Sequence, residues 1–213
     1  MKKSIYFILL FTVILDCNSQ TKADYNKLAV DKFNIKDYLG AIFYFTKVIS
    51  ISPKDSTAYL DRAMIKDLIK NYDGAIADFS TEIEINPSNP DNYFLRGIVK
   101  SKQKNYKSAI EDYSKTIQIE YNNVDAHYFM GFAKAKLKDY QNAILDYDNA
   151  IKLQPNYPEI YYYRSLSHIE LSNYESAKLD LEKALELDPK NSKYSIKKAK
   201  LEKLIFYKKN HKS

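Results

Sequence analysis

Residues 105–113 read NYKSAIEDY, and the same skeleton stands 34 residues earlier at 71–79 (NYDGAIADF) and 34 later at 139–147 (DYQNAILDY). One more step in each direction reaches 37–45 (DYLGAIFYF) and 173–181 (NYESAKLDL). Tyr38, Tyr72, Tyr106, Tyr140 and Tyr174 each stand three residues before an alanine: Ala41, Ala75, Ala109, Ala143 and Ala177. Before each tyrosine comes Asp37, Asn71, Asn105, Asp139 or Asn173. Asp and Asn side chains accept hydrogen bonds from the free amides of a helix's first turn, so a helix is expected to begin at every one of these sites.

Working outward, a large apolar residue follows each alanine by four: Phe45, Phe79, Tyr113, Tyr147 and Leu181. That spacing puts the small and the large side chain on one helical face, where a neighbouring helix can come close. The helices are expected to stop near Pro53, Pro87, Pro155 and Pro189; the third unit has Tyr121, then Asn122 and Asn123, which also favour a turn. The first half of each unit carries a second helical pattern. It is led by Tyr25, Tyr59, Tyr93, His127 and Tyr161, each followed four residues on by Ala29, Ala63, Gly97, Gly131 or Ser165. Two helices per period make an antiparallel hairpin, and hairpins that leave an apolar face open must stack.

A leading aromatic, a small residue, then Tyr, Ala, aromatic and Pro is a pattern that resembles the tetratricopeptide repeat family throughout residues 22–191. The units run 22–55, 56–89, 90–123, 124–157 and 158–191. The resemblance implies an all-α fold, a right-handed superhelical solenoid of five helix-turn-helix hairpins. Residues 192–213 are expected to form a basic capping helix and tail. Tyr194, Leu201, Leu204 and Ile205 would lie on its inner side, and Lys193, Lys197, Lys198, Lys200 and Lys203 on a polar outer face. A solvated face is the usual meaning of such a lysine run; contact with anionic lipid or nucleic acid is the alternative.

In this family the first helix of each hairpin lines a concave groove, so the resemblance implies that partner proteins bind there as extended peptides or helices. One row of lining positions reads Asn26, Leu60, Phe94, Tyr128 and Tyr162; the row one turn on reads Val30, Met64, Ile98, Phe132 and Leu166. The Lys and Asn clamp with which the family's chaperone-tail binders hold a terminal carboxylate does not stand at these places. An apolar, aromatic groove suits an amphipathic helix or a hydrophobic strand. Leu60, Met64, Phe94, Ile98, Tyr128, Phe132, Tyr162 and Leu166 are the candidate partner-binding residues, with Phe94, Tyr128 and Tyr162 expected to be exposed. Packing between hairpins fits the same spacing.

Arg62, Arg96 and Arg164 share one repeat position, and an aspartate follows each by sixteen residues: Asp78, Asp112 and Asp180. The first unit has Leu28 and Tyr44 there, and the fourth pairs Met130 with Asp146. The covariation predicts bidentate ion pairs between packed helices; an arginine ladder for a ligand is the functional alternative.

Chemistry is harder to find. His127, His168 and His211 are spaced like no zinc site, and no acid, base or nucleophile set recurs. The expectation is therefore no enzyme, no cofactor, no metal and no small-molecule substrate. A net charge of +6 over 213 residues is too mild to suggest nucleic acid. With 45% hydrophobic and 28% charged residues and four glycines, the chain is ordered and lacks glycine-rich phosphate loops.

The first residues have a secretory layout: Lys2 and Lys3, an apolar run from Ile5 to Leu15, then Asp16 and Cys17. Eleven helical residues span about 17 Å, short of the ~30 Å hydrocarbon core. Residues 1–16 are read as a signal peptide and 17–21 as a short tether. Cys17, the single cysteine, resembles the acylated first residue of a bacterial lipoprotein, although Asp16 stands where that signal has a small residue. Cleavage after Ser19, releasing a soluble protein that begins at Gln20, is the alternative, and an uncleaved anchor the third. Together these readings give a non-catalytic protein-interaction scaffold of the cell envelope, in the periplasm or tethered to membrane through lipid on Cys17. Self-association, or service as a regulatory subunit of a separate enzyme, are the competing roles.

Overall fold

A computed structural model describes residues 20–211, which form eleven α-helices with no strand among them. The signal segment and Cys17 lie outside the described residues. The helices pair as α1 (Lys22–Asn34) with α2 (Tyr38–Ile51), α3 (Ser56–Leu68) with α4 (Tyr72–Ile85), and α5 (Pro90–Lys102) with α6 (Tyr106–Ile119). Then come α7 (Val124–Lys136) with α8 (Tyr140–Leu153), α9 (Pro158–Glu170) with α10 (Tyr174–Leu187), and α11 (Ser192–Asn210). Two compact units divide the chain, one ending at Asn86 and holding α1–α4, the other beginning at Pro87 and holding α5–α11. Among the described residues no helix is long and apolar enough to cross a membrane.

The turn inside each hairpin is built the same way five times. Asn71 N–H donates to Lys66 O at 2.8 Å and Lys70 N–H to Asp67 O at 2.9 Å, the two reversed bonds that close a helix C-terminus, and the equivalent pairs recur in every hairpin. This geometry needs one left-handed residue. It falls on Lys36, Lys70, Lys104, Lys138 and Ser172, all with φ between 61° and 65°. None is glycine, so each holds a conformation that costs an L-residue about 1 kcal/mol.

The residue that closes the first helix also opens the second. Asp37 accepts from Gly40 N–H at 3.0 Å and Asn71 from Gly74 N–H at 3.1 Å. Asn105, Asp139 and Asn173 occupy the same N-cap position but make no side-chain cap bond, a departure from the sequence expectation. The cause is steric. A Cβ on Gly74 would stand 2.9 Å from Asn71 Oδ1, and the other three helices carry Ser108, Asn142 and Ser176 at that place. The side chain reaches the third amide only where that residue has no Cβ.

Between hairpins, Asp55 and Asn123 cap α3 and α7 by accepting from Ala58 and Ala126 N–H. The proline-free third turn closes with the contacts that its proline-containing counterparts use. Asn123 Nδ2 donates to Glu120, and His127 Nε2 lies 3.1 Å from the Tyr121 carbonyl. Tyr93 and Tyr161 make the same reach with their hydroxyls, to Pro87 O and Pro155 O. A carbonyl only accepts, so His127 carries its proton on Nε2 and stands in for a tyrosine.

Burial follows the repeat. Ala29, Ala41, Ala75, Ala109, Ala143 and Ala177 are fully buried, with Phe45, Phe79, Tyr113, Tyr147 and Leu181 beside them. Helix α11 starts in repeat register, Asn191 and Ser192 standing 136 residues after Asp55 and Ser56, so it is a sixth first-helix without a second. It packs through buried Tyr194 and Leu201. Two lysines expected on its outer face contact the fifth hairpin instead. Lys193 Nζ sits 4.2 Å from the Tyr162 ring centroid, and Lys198 pairs with Glu182 at 3.1 Å. The outer side is also less polar than expected, since Ile196, Phe206 and Tyr207 are exposed.

Candidate functional site

The repeated arginines are braces. Arg96 donates from Nε to Asp112 Oδ2 at 3.0 Å and from Nη2 to Oδ1 at 2.7 Å. Arg62 and Arg164 grip Asp78 and Asp180 in the same bidentate way. The spare nitrogen crosses to the preceding hairpin: Arg62 Nη1 donates to Thr46, Arg164 Nη1 to Asp148. Burial works against the Arg164 charge, but the carboxylates of Asp180 and Asp148 outweigh it and hold its pKa above the ordinary value. Each guanidinium also lies over the leading tyrosine of its own helix, Tyr59, Tyr93 or Tyr161. With the forks engaged inside the stack, no arginine ladder faces a ligand.

A second cation, missed in the sequence, joins the buried aspartate in three hairpins. Lys66, Lys100 and Lys134 reach Asp78, Asp112 and Asp146 at 2.7–2.8 Å, and His168 takes this place 3.9 Å from Asp180. Burial, with the charge of Arg164 adding to it and that of Asp180 opposing, holds the His168 pKa below its ordinary value.

The candidate partner residues divide between the two units. In the first, Met64 is 44% exposed and Leu60 half-buried, as is Asn26, while Val30 is exposed. In the second, Phe94 and Ile98 are half-buried against the cluster of Tyr113 and Met130. Tyr128 and Tyr162 are not exposed, which corrects the expectation for them. Tyr128 is 7% exposed among Phe129, Tyr147, Tyr157 and Tyr163, and Tyr162 is 8% exposed against Tyr163 and Tyr194. Successive first-helices come close enough for this row to become the seam between hairpins.

The next row stays open. Phe132 and Leu166 are half-buried and, with Tyr163, wall a cleft of about 190 Å³ between α7, α8 and α9. Its buried members are Tyr147 and Ser167, with half-buried Ala135 beside them. Exposed Lys136 and Glu170 stand at its margin near Tyr140, Lys136 Nζ lying 4.9 Å from the Phe132 ring centroid. Gly131 lets the floor form, because a Cβ there would meet Tyr147 Cε1 at 2.9 Å. Burial holds the Tyr147 phenol well above its ordinary pKa, so it is protonated. Such a cleft can hold an apolar group. Tyr163 could have been singled out from the Tyr161–Tyr163 run; Ala135 and Ser167 carry no motif of their own.

Among the described residues no group of three or more His, Cys, Asp or Glu side chains could hold a metal ion.

Three family models, each described as tetratricopeptide repeat, match one segment apiece, the consecutive segments 90–123, 124–157 and 158–191. No curated protein sequence matches the chain. Among solved structures, the MamA protein shares the fold at a TM-score of 0.74 and 21% identity, over 81% of this chain and 94% of that one. YrrB, described as a TPR protein with an unusual peptide-binding site, aligns at a TM-score of 0.73 and 18% identity, over 89% and 97%. The first TPR of Spaghetti (RPAP3), solved with an HSP90 peptide, aligns at 0.54 and 27% identity, over 55% and 92%. The hairpins, their common turn and these three matched segments agree: residues 90–191 are tetratricopeptide repeats, and the hairpins before them are built the same way.

Proposed function

We propose that this protein is a non-catalytic scaffold of the bacterial cell envelope, holding a segment of a partner protein on the first-helix face of its second unit. The observation that carries the reading is the open cleft walled by Phe132, Tyr163 and Leu166. Its apolar walls and charged margin suit an apolar side chain presented by a polypeptide whose backbone lies outside. The peptide-bound relative supports a polypeptide as the ligand class. A non-catalytic role is supported by the buried carboxylates Asp78, Asp112 and Asp180, which are spent on the arginine braces.

The envelope setting rests on Lys2, Lys3, the apolar run from Ile5 to Leu15, and Cys17. Acylation there would tether the repeats through the short segment 17–21. Stable anchoring takes more than one acyl chain, at about 0.8 kcal/mol per buried CH₂. Intact mass of the native protein tests this: a species beginning at acylated Cys17 and lost on Cys17→Ala supports the tether, while one beginning at Gln20 means a free exported protein.

Binding is tested by placing a photo-crosslinking amino acid at position 132 and, as a control, at exposed Glu111 in cells. A partner captured from 132 and not from 111 supports the reading; equal capture from both contradicts it.

Self-association is favoured by a different observation. Helix α2 leaves Leu39 73% and Phe43 54% exposed on one face, at an i, i+4 spacing. Sedimentation across a concentration range separates the two roles, since only the self-associating protein gains mass with concentration.

A further inference from the structure

In each of the five hairpins the small residue of the first helix is covered. Ala29, Ala63 and Ser165 are fully buried, and Gly97 and Gly131 are buried as well. The second helix of the same hairpin covers them: a Cβ on Gly97 would meet Tyr113 of α6 at 2.7 Å, and one on Gly131 would meet Tyr147 of α8 at 2.9 Å and Ala143 O at 3.0 Å. Helix α11 keeps the small residue in register, because Ala199 stands 34 residues after Ser165, yet Ala199 is exposed. The chain does not turn back to cover it. Where the fifth hairpin has Ser172 at φ 61° and then Asn173 at the next helix start, α11 has Phe206 and Tyr207 and runs on as helix to Asn210.

The open side is less polar than a solvated end needs. Phe206 stands seven residues beyond Ala199, two helical turns along the same side, and is 69% exposed. Ile196, three before Ala199, is 55% exposed, and Lys203, four after it, is exposed too. An alanine between larger apolar side chains lets another helix come close, as the small residue does in the hairpins. Charge narrows the occupant. Helix α11 carries seven lysines and a single glutamate, Glu202. Lys198 is held by Glu182 and Lys208 by the Tyr174 hydroxyl, while Lys200, Lys203 and Lys209 are exposed. A second copy of α11 laid on this face would set lysine against lysine. So would the exposed face of α2, where Lys47 lies over Phe43. An acidic helix gains from the same charges.

We propose that the face of α11 around Ala199 and Phe206 is a docking site for an acidic amphipathic helix of a partner protein, which takes the place of the second helix that α11 lacks. The site shares no residue with the cleft beside Phe132, so it stands or falls apart from the partner reading of that cleft.

The probe is the chain's own acidic second helix, a synthetic peptide of residues 173–187 with four carboxylates against two lysines, crosslinked on its polar face to hold it helical. It is titrated against the full chain by fluorescence anisotropy. Saturable binding is expected, weakening as salt rises and falling at least about ten-fold in the double variant Lys200→Glu, Lys203→Glu. Ala199→Arg is the deciding variant. It adds positive charge at an exposed position with a good helix former, so a contact of charge alone would tighten, whereas a helix packed on Ala199 is pushed away and loses at least about ten-fold. No saturable binding by the wild-type chain, or an affinity of Ala199→Arg equal to or above wild type, would overturn the site. Phe206→Ser supplies the other arm. If it abolishes co-sedimentation of the full chain with phosphatidylglycerol vesicles and leaves peptide binding unchanged, the face belongs to an anionic membrane surface and the helix site is overturned.

Discussion

Lys134 Nζ lies 2.7 Å from Asp146 Oδ2, and Met130 occupies the position from which an arginine braces the equivalent aspartate in the second, third and fifth hairpins. Asp146 is as buried as its counterparts, yet has a single close cation. Burial pushes its pKa up, and Lys134 only partly offsets that. A folded pKa above the unfolded value of 3.8 means that the group favours folding below pH 3.8. That contribution is lost as pH rises through the folded pKa.

Met130→Arg is therefore expected to stabilise the protein by about 1.5 kcal/mol at pH 7, by completing the fork around Asp146. The gain should shrink as pH falls through the folded pKa of Asp146, where the wild-type carboxyl takes up a proton and has less need of the arginine. Urea denaturation of both proteins from pH 3 to 7 checks this, and a gain that does not vary with pH would contradict it.

Arg96→Met makes the reverse change and gives Asp112 the surroundings of Asp146, with Lys100 left as its close cation. The expected loss is about 2 kcal/mol, since a buried carboxylate forfeits two charge-assisted hydrogen bonds. Thermal melting reads it directly; an unchanged midpoint would show that the brace contributes nothing to stability.

Lys70 sits at φ 63°, a conformation glycine adopts without cost. Lys70→Gly should stabilise by about 0.5–1 kcal/mol, and Lys104→Gly likewise, because relief of the backbone outweighs the added freedom of the unfolded chain. Denaturation midpoints that fall in both variants would mean that the lysine side chains contribute something the turn geometry does not reveal.

Asn71 caps its helix and Asn105 does not, so alanine should separate them. Asn71→Ala is expected to cost about 1 kcal/mol and Asn105→Ala only a few tenths. Equal losses would refute the steric account based on Gly74.

The helices were legible because the 34-residue period repeats five times and each repeat marks its own helix start. The arginine–aspartate spacing was legible for the same reason, as both positions recur and vary together. The left-handed turn residue was not, since Lys36, Lys70, Lys104 and Lys138 look like any surface lysine and no glycine flags them. Lys66, Lys100 and Lys134 were lost among many lysines for want of a partner to point at. The two apolar rows, four residues apart on the same helices, could not be ranked by spacing: how closely hairpins approach decides that Tyr128 and Tyr162 make the seam while Phe132 and Leu166 stay open.

The central claim is that the face around Phe132 and Leu166 holds a partner segment. Its most direct test is calorimetric binding of the segment crosslinked at position 132, made as a synthetic peptide, to the full chain and to Leu166→Glu. The account predicts saturable one-to-one binding that weakens at least about ten-fold in the variant, with the helical circular-dichroism spectrum retained, because a charge is placed on the contact surface. Wild-type affinity in Leu166→Glu would contradict it and move the partner site elsewhere.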